Sequence, residues 1–386
     1  MSDRTAYDAI DRFDSIAASI AAARPPAGST FRADEPDTVV GRLHPRRLSL
    51  QVADVITETP STTTLRMVSA GPELPPFLAG QYVNLLVELD GTATSRPFAI
   101  SSAPAERDHY DLTVRETPGG FVSPYLVRQV RPGDAFASTG PMGEFFRNPL
   151  YHGDRLMFLA GGAGVAPARS MMKDIAGRGA ATRLQLVYGS KDPGDVIFRD
   201  ELDELARAHD TIDVVHVISE PAPGWAGRAG FISADLIAEL AGPHLHTTTY
   251  LLCGPPAMYD FCLAALRRLD VARGRIGYEA NGPPAHPERL PDWPAQLDPA
   301  ATFSVTVSGR DTFAAPCGEP LLNSLERAGY QLEVGCRSGH CSLCRVKILS
   351  GAVVSGPEAR IRRSDAWTGH THACTAFPVS DVEIQL

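Results

Sequence analysis

The chain is sparing with cysteine, with cations and with long apolar runs. Only seven of its 386 residues are cysteine, and an odd, unevenly clustered set suits a disulfide framework poorly. Lysine and arginine number 36 against 45 aspartates and glutamates, for a net charge of −9. No basic face is therefore at hand to displace counterions, which argues against a nucleic-acid partner. No uninterrupted apolar run approaches the ~18 residues of a membrane span. The N-terminus lacks a basic-then-apolar secretory pattern, and Arg46-Arg47 has no apolar segment after it, so it does not read as a twin-arginine signal. The expectation is a cytoplasmic protein. With 44% hydrophobic and 21% charged residues, the composition is that of an ordinary globular chain, long enough for about two or three domains.

Residues 1–24 carry one helical pattern, with Ile10, Phe13, Ala17 and Ile20 on one face. Pro25 and Pro26 end it, and the rest of 1–45 reads as linker. Residues 46–150 hold short strand-like runs spaced by turn signals, with a single helical stretch in "GGFVSPYLVRQV", which predicts a small antiparallel β-barrel. From residue 151 to 282 strands alternate with helices at 166–177, 198–208, 233–240 and 256–269, which predicts an α/β domain with a parallel sheet. The proline-rich stretch 283–300 predicts a stiff, extended linker. Residues 301–386 start afresh with "TFSVTVSG" and the helix "EPLLNSLERAG", a small α+β domain.

The scarce cysteines are crowded. Cys336, Cys341 and Cys344 stand as Cys-x4-Cys-x2-Cys, and Cys374 follows after twenty-nine intervening residues. That is the plant-type spacing for a 2Fe–2S cluster. The rhomb needs two thiolates per iron; a tight loop supplies three and a distant strand returns the fourth. Ser338, Gly339 and Ser342 are small enough to let the loop curl and aim backbone N–H groups at the sulfides. Zinc is the other reading, but its structural sites usually show two close cysteine pairs. Residues 301–386 resemble a plant-type ferredoxin domain of the β-grasp kind, including "LSGAV" after the third ligand. Cys262 and Cys317 read as packing residues, and His340 as an exposed loop side chain.

Two further motifs resemble the ferredoxin–NADP reductase-like flavoproteins. "TSRPFAISSAP", 94–104, resembles their Arg-x-Tyr-Ser-x-x-Ser motif. The resemblance gives Arg96 a flavin phosphate to pair with, a task suited to a guanidinium, and puts Pro97, Phe98 and Ala99 along the flavin. Ser102 matches the last serine, with a catalytic as well as a flavin-contacting role. Phe98 replaces the motif tyrosine and can still stack; Ala99 replaces the next serine and leaves only its backbone N–H for flavin N5. In "PGGFVSPYL", Gly119 and Gly120 are expected to open a helix whose first N–H groups make an anion site. The family sets the flavin pyrophosphate there, beside Gly120, Phe121, Val122 and Ser123; the alternative is a glycine turn with a serine cap. Together these imply FAD, with FMN as the alternative that reductases of the phthalate dioxygenase reductase type use.

"FLAGGAGVAPARSMM", 158–172, is strand, glycine turn and helix, without the Gly-x-Gly-x-x-Gly spacing. It resembles the family's Gly-Gly-x-Gly-x-x-Pro turn, with Gly161, Gly162, Gly164 and Pro167 in register and Ala163 where threonine is usual. "LLCGPPAM" resembles its Cys-Gly-Pro turn, which implies Cys253 near the reacting nicotinamide carbon, with Gly254 and Pro255 as floor. Ser190 and Lys191 follow the second strand, where the adenosine ribose is read; NADH is favoured over NADPH only through the habit of such reductases. Glu279 falls at the family's usual acid, and Asn281 where an aromatic often covers the flavin. The order flavin, nicotinamide, cluster implies an electron-transfer reductase. It would pass hydride electrons from NAD(P)H through flavin to the 2Fe–2S cluster, then singly to a redox partner protein, an oxygenase or monooxygenase component. The alternatives are a stand-alone reductase of a small acceptor and a redox-sensing or assembly protein.

Overall fold

The computed structural model describes residues 40–41, 45–71, 73–279, 282–356 and 359–386. The expected N-terminal helix and Asn281 lie outside the described residues.

The first sheet comprises β1 (Leu48–Thr59), β2 (Thr62–Ser69), β3 (Tyr82–Leu89), β4 (Thr92–Ala99), β5 (His109–Arg115) and β6 (Ala135–Ser138), with helix α1 (Ser123–Arg128) before the last. Its order is β4-β3-β6-β1-β2-β5, antiparallel throughout. A single bridge from Ile100 to Leu112 brings the two edge strands together and curls the sheet into a barrel. Alternation sets the register: Leu50 and Val52 of β1 point inward and are buried while their neighbours are exposed. The β3–β4 hairpin turns on Asp90-Gly91, both at positive φ (49° and 73°), the signature of a two-residue turn matched to strand twist.

The second sheet is wholly parallel. In chain order it is built from β7 (Arg155–Gly161), α2 (Val165–Arg178), β8 (Arg183–Ser190), α3 (Arg199–Ala208), β9 (Ile212–Ile218), β10 (Arg228–Ala229), α4 (Ala234–Ala241), β11 (Thr249–Cys253), α5 (Pro256–Arg268) and β12 (Ile276–Tyr278). Its order is β10-β9-β8-β7-β11-β12. The chain steps outward from β7 to β10, then crosses back to β11 on the other side of β7. The crevice at the carboxyl ends of β7 and β11 is thus the switch point, where open parallel sheets take ligands.

The third domain holds β13 (Thr302–Val307), β14 (Thr312–Pro316), α6 (Leu321–Arg327), β15 (Arg345–Ser350), β16 (Val353–Ser355), α7 (Arg363–Trp367), β17 (His370–His372), β18 (Ala376–Pro378) and β19 (Val382–Gln385). A mixed sheet ordered β14-β13-β19-β15-β17 packs under α6, and β16 pairs with β18. Leu321, Leu322 and Leu325 of α6 are fully buried against Val305, Val346 and Ile384 of the sheet. The connecting stretch 283–300 is not extended. Successive i to i+3 hydrogen bonds fold it: Arg289 N to His286 O, Leu290 N to Pro287 O, Trp293 N to Leu290 O and Leu297 N to Pro294 O. Proline fixes φ near the value that the first central position of such turns needs, so the prolines that suggested a rod instead start turns.

Candidate functional site

A cavity of about 970 Å³ opens where the three domains meet, within the size range of small-molecule and cofactor sites. Arg96, Pro97, Phe98 and Ala99 at the end of β4 line it, as do Gly120, Phe121, Val122 and Ser123. From the parallel sheet come Gly161, Gly162, Gly164 and Pro167 after β7, Ser190 and Lys191 after β8, and Cys253, Gly254 and Pro255 after β11. Glu279, Cys336 and Arg337 complete the wall. Residues far apart in sequence are thus gathered by the switch point and the barrel mouth.

Two residues singled out in the sequence stand off this wall. Ser102 is fully buried behind it; its hydroxyl accepts from Asp111 N (3.2 Å) and its carbonyl accepts from the Ser170 hydroxyl (2.7 Å). It serves the joint between barrel and parallel-sheet domain. Gly119 (φ +70°) meets nothing within 4 Å of a built Cβ. Nor do the glycines open the helix: α1 has six residues, begins at Ser123, and follows a turn closed by Gly120 N to Thr117 O (2.8 Å). Ser123 is not its cap. The Ser123 hydroxyl accepts from Thr117 N (2.9 Å) and ties down the turn instead.

At the switch point, tight backbone approach explains the glycines. A Cβ on Gly164 would lie 2.0 Å from Cys253 O, and one on Gly161 would lie 2.7 Å from Met258 Sδ. Cys253 is buried at the end of β11. Beside it Tyr259 of α5 accepts from Gly254 N (3.1 Å) and donates to Glu279 O; burial, then the adjacent Cys253, raises its phenol pKa. Sequence reading missed Tyr259, since a tyrosine on an amphipathic helix has no local mark of a role. Tyr259→Phe is expected to loosen the Cys253–Gly254 turn. The predicted result is roughly a 5- to 10-fold lower hydride-transfer rate, the worth of about one hydrogen bond, with flavin content unchanged. Stopped-flow reduction by NADH would show it, and an unaltered rate would count against it.

Other partners also went unread. Arg115 at the end of β5 pairs with Asp195 (2.6 Å) across the cavity, and its guanidinium Nη1 lies 2.9 Å from a Cβ built on Gly162. Lys191 is exposed and lies 3.7 Å from Glu220, whereas Ser190 is buried. Burial, assisted by Cys336, pushes the Glu279 carboxyl up to about 8. Tyr82 stands between Glu279 and the cysteine loop, and burial, then the nearby Cys336 and Cys341, raises its phenol pKa.

The cysteine loop has the curvature that its small residues suggested. Arg337, Gly339 and Ser342 take positive φ (52°, 79° and 60°). Backbone N–H groups of Ser338 (3.4 Å), His340 (3.2 Å) and Cys341 (3.3 Å) point at Cys336 Sγ. Hydrogen bonds from Cys341 and Cys374 lower the Cys336 thiol pKa, and a bond from Cys374 lowers that of Cys344. Cys336 interacts with both Cys341 and Cys374, and Cys374 with Cys344; among the described residues no group of three or more His, Cys, Asp or Glu side chains is arranged around a single metal ion. Cys262 and Cys317 are fully buried, and burial pushes Cys262 up to about 12. His340 is half-buried rather than exposed, because segment 359–361 folds over the loop and Arg360 N donates to Gly339 O (3.0 Å).

The donor sets fit the groups they resemble. Among the described residues Arg96 donates to neutral acceptors, the Thr94 hydroxyl and the Ser95 carbonyl (both 2.7 Å). Burial, then repulsion from Arg337, brings it down to about 10, so it is a cation facing a cavity that needs an anion. The thiols and inward N–H groups fit an anionic iron–sulfur cluster.

Comparison with known proteins agrees. Residues 49–146 match the oxidoreductase FAD-binding domain, 158–263 the oxidoreductase NAD-binding domain and 305–379 the 2Fe–2S iron–sulfur cluster binding domain. The chain is 38% identical over 210 residues to ferredoxin–NADP reductase B of Sorangium cellulosum, covering 52% of this chain and 81% of that one. It is 28% identical over 346 residues to the glycine betaine monooxygenase reductase subunit of Pseudomonas aeruginosa, covering 86% and 93%. The solved phthalate dioxygenase reductase shares the fold, with a TM-score of 0.66 at 22% identity over 88% of this chain and 98% of that one. The chain is an NAD(P)H-dependent oxidoreductase that uses FAD and a 2Fe–2S cluster, and it belongs to the ferredoxin–NADP reductase-like flavoproteins, here with a C-terminal 2Fe–2S ferredoxin domain.

Proposed function

We propose that this chain is the reductase component of an oxygenase system, delivering electrons one at a time from its cluster to a separate oxygenase protein. The observation that carries the reading is the shared cavity: Cys336 lines the same space as the Arg96–Ala99 motif and Cys253. When bound, FAD accepts a hydride pair and the 2Fe–2S cluster carries single electrons. The chain's own residues position and enclose. Cys253, Gly254 and Pro255 form the nicotinamide floor, Arg96 holds a flavin phosphate, Phe98 packs on the ring, and Gly161, Gly162, Gly164 and Pro167 shape the nucleotide turn. Glu279, neutral at its raised pKa, keeps a proton beside the reacting groups. Cys336, Cys341, Cys344 and Cys374 ligate the irons.

The name of the Pseudomonas relative, a monooxygenase reductase subunit covered at 93% of its length, supports the oxygenase partner. We favour NADH, since Glu220 beside Lys191 places a carboxylate near a cation that a 2′-phosphate would need. No helix among the described residues is long and apolar enough to cross a membrane, and a pyridine-nucleotide donor with free thiols suits the cytoplasm. The domain limits we propose are those read from the sequence: 1–45, 46–150, 151–282, 283–300 and 301–386.

The test is an anaerobic titration of the holoprotein with NADH and then NADPH, followed by absorbance and low-temperature EPR. Bleached flavin with a rhombic 2Fe–2S signal is expected, and NADH should be the better donor. Bleached flavin over a silent, oxidised cluster would overturn the reading and favour a sensor role.

A further inference from the structure

The barrel and the ferredoxin domain share a buried polar network that neither motif foretold. Arg337, the residue after the first cluster ligand, is almost wholly buried, and so is Glu326 of α6. The two pair at 2.7 and 3.0 Å. Arg337 also donates to Asn323 Oδ1 (2.8 Å), to Ser95 O (3.1 Å) and toward the Thr94 hydroxyl (3.4 Å). Thr94 donates in turn to Glu326 (2.8 Å). Asn84 Nδ2 donates to Val334 O (2.5 Å), pinning the start of the cysteine loop to β3.

Arg96 enters this network from the other side. It bonds the same two acceptors, the Thr94 hydroxyl and the Ser95 carbonyl, that Arg337 uses. Two guanidiniums thus lie together with one carboxylate between them, and both arginines line the cavity. Glu326 is engaged by Arg337 on both oxygens. Among the described residues one positive charge, that of half-buried Arg96, is left over, and it faces the open space. Taking a cation part-way out of water without a countercharge is costly, so the arrangement suits an anion in the cavity.

We infer that Arg337 of the ferredoxin domain joins Arg96 of the barrel in a two-arginine site for the flavin phosphate, so that flavin is held across the domain boundary. This rests on the reading that Arg96 meets that phosphate. The consequence is coupling: whatever seats the cysteine loop on the barrel tightens flavin, and bound flavin seats the loop. The cluster's distance to the flavin is then set by the same contacts that retain the flavin.

The experiment uses the full chain with its cluster intact and its flavin removed, titrated with FAD and, separately, with riboflavin, which has no phosphate. Arg337→Gln should weaken FAD binding about 10-fold or more, through the loss of a positive charge beside the phosphate. It should leave riboflavin binding and the iron content as in the unaltered protein, and Arg337→Lys should restore part of the affinity. Equal weakening of both ligands would mean a structural role only and would overturn the inference. So would unchanged FAD affinity. Arg96→Ala separates the underlying reading: if it too leaves FAD affinity intact, the phosphate assignment itself fails. Should Arg337→Gln lose its cluster, Asn323→Ala removes, from outside the cysteine loop, the side chain that aims Arg337 Nη2 (2.8 Å), and the misaimed guanidinium should give the same selective loss of FAD at smaller size.

Discussion

Cys374→Ser is expected to strip the 2Fe–2S cluster while FAD stays bound and is still reduced by NAD(P)H. The separation follows from position. Cys374 is buried after β17, and its thiol reaches Cys336 and Cys344; it does not line the flavin cavity. The other three cysteines sit on a loop whose curvature is fixed by its own positive-φ residues, so they should remain in place without a fourth thiol to complete the set. Removing a ligand should exceed the 10- to 100-fold cost of losing a mere supporting contact to a metal site. Turnover with a one-electron protein acceptor such as cytochrome c should therefore fall by more than about 100-fold. Ferricyanide, which can draw electrons from the flavin directly, should still be reduced at close to the parent rate, since Cys374 does not line the flavin cavity. Iron and sulfide analysis with EPR after dithionite would decide it. An intact signal would remove Cys374 from the ligand set.

The 2Fe–2S domain was legible because its information is local: three cysteines in nine residues must curl, and Gly339 and Ser342 help them do so. The α/β alternation was legible for the same reason, as the stripes of α2 through α5 repeat within each helix. What was not legible lay in contacts between distant segments. Ser102 matches its motif in sequence, yet its hydroxyl is taken by Asp111 N of β5 and its carbonyl by the Ser170 hydroxyl of α2. The two-residue β10 carries no alternation to detect. Thr94 and Glu326 stand 232 positions apart, and a threonine in a strand and a glutamate in a helix are each unremarkable alone. The turn-rich 283–300 segment failed differently. Proline constrains φ but not ψ, so the same residues serve a rod or a chain of turns, and hydrogen bonds to neighbours chose the turns.

Arg169→Ala should be strongly destabilising, because it cuts the joint between barrel and nucleotide domain. Arg169 of α2 is buried and bonds Glu201 (2.8 Å), Asp111 (3.3 Å) and the Ser101 carbonyl (3.1 Å), with its guanidinium 4.5 Å above the Phe198 ring. Breaking one partner of a buried ion pair costs about 3–5 kcal/mol. Asp111 keeps Arg66 at 2.9 and 3.1 Å, and Glu201 keeps Lys173 at 3.6 Å, so the loss should fall near the lower end. Urea unfolding would measure it, and an unchanged midpoint would mean that the joint is idle. Acid should expose the same pair. Burial pushes the Asp111 carboxyl up, but Arg66 and then Arg169 outweigh it and hold it below the ordinary range. A depressed folded-state pKa contributes stability that is fully present above the unfolded aspartate value of about 3.9 and is lost as pH falls through the folded value. Without Arg169 the folded value moves back up, so acid unfolding should begin at higher pH than in the parent. The spacing of the Gly161–Pro167 turn and the Arg96–Ala99 segment depends on this joint, since Arg169 follows that turn on α2 and grips the Ser101 carbonyl just past β4. Hydride transfer should therefore slow together with the loss of stability, whereas a joint that only added stability would leave the rate of the folded enzyme untouched.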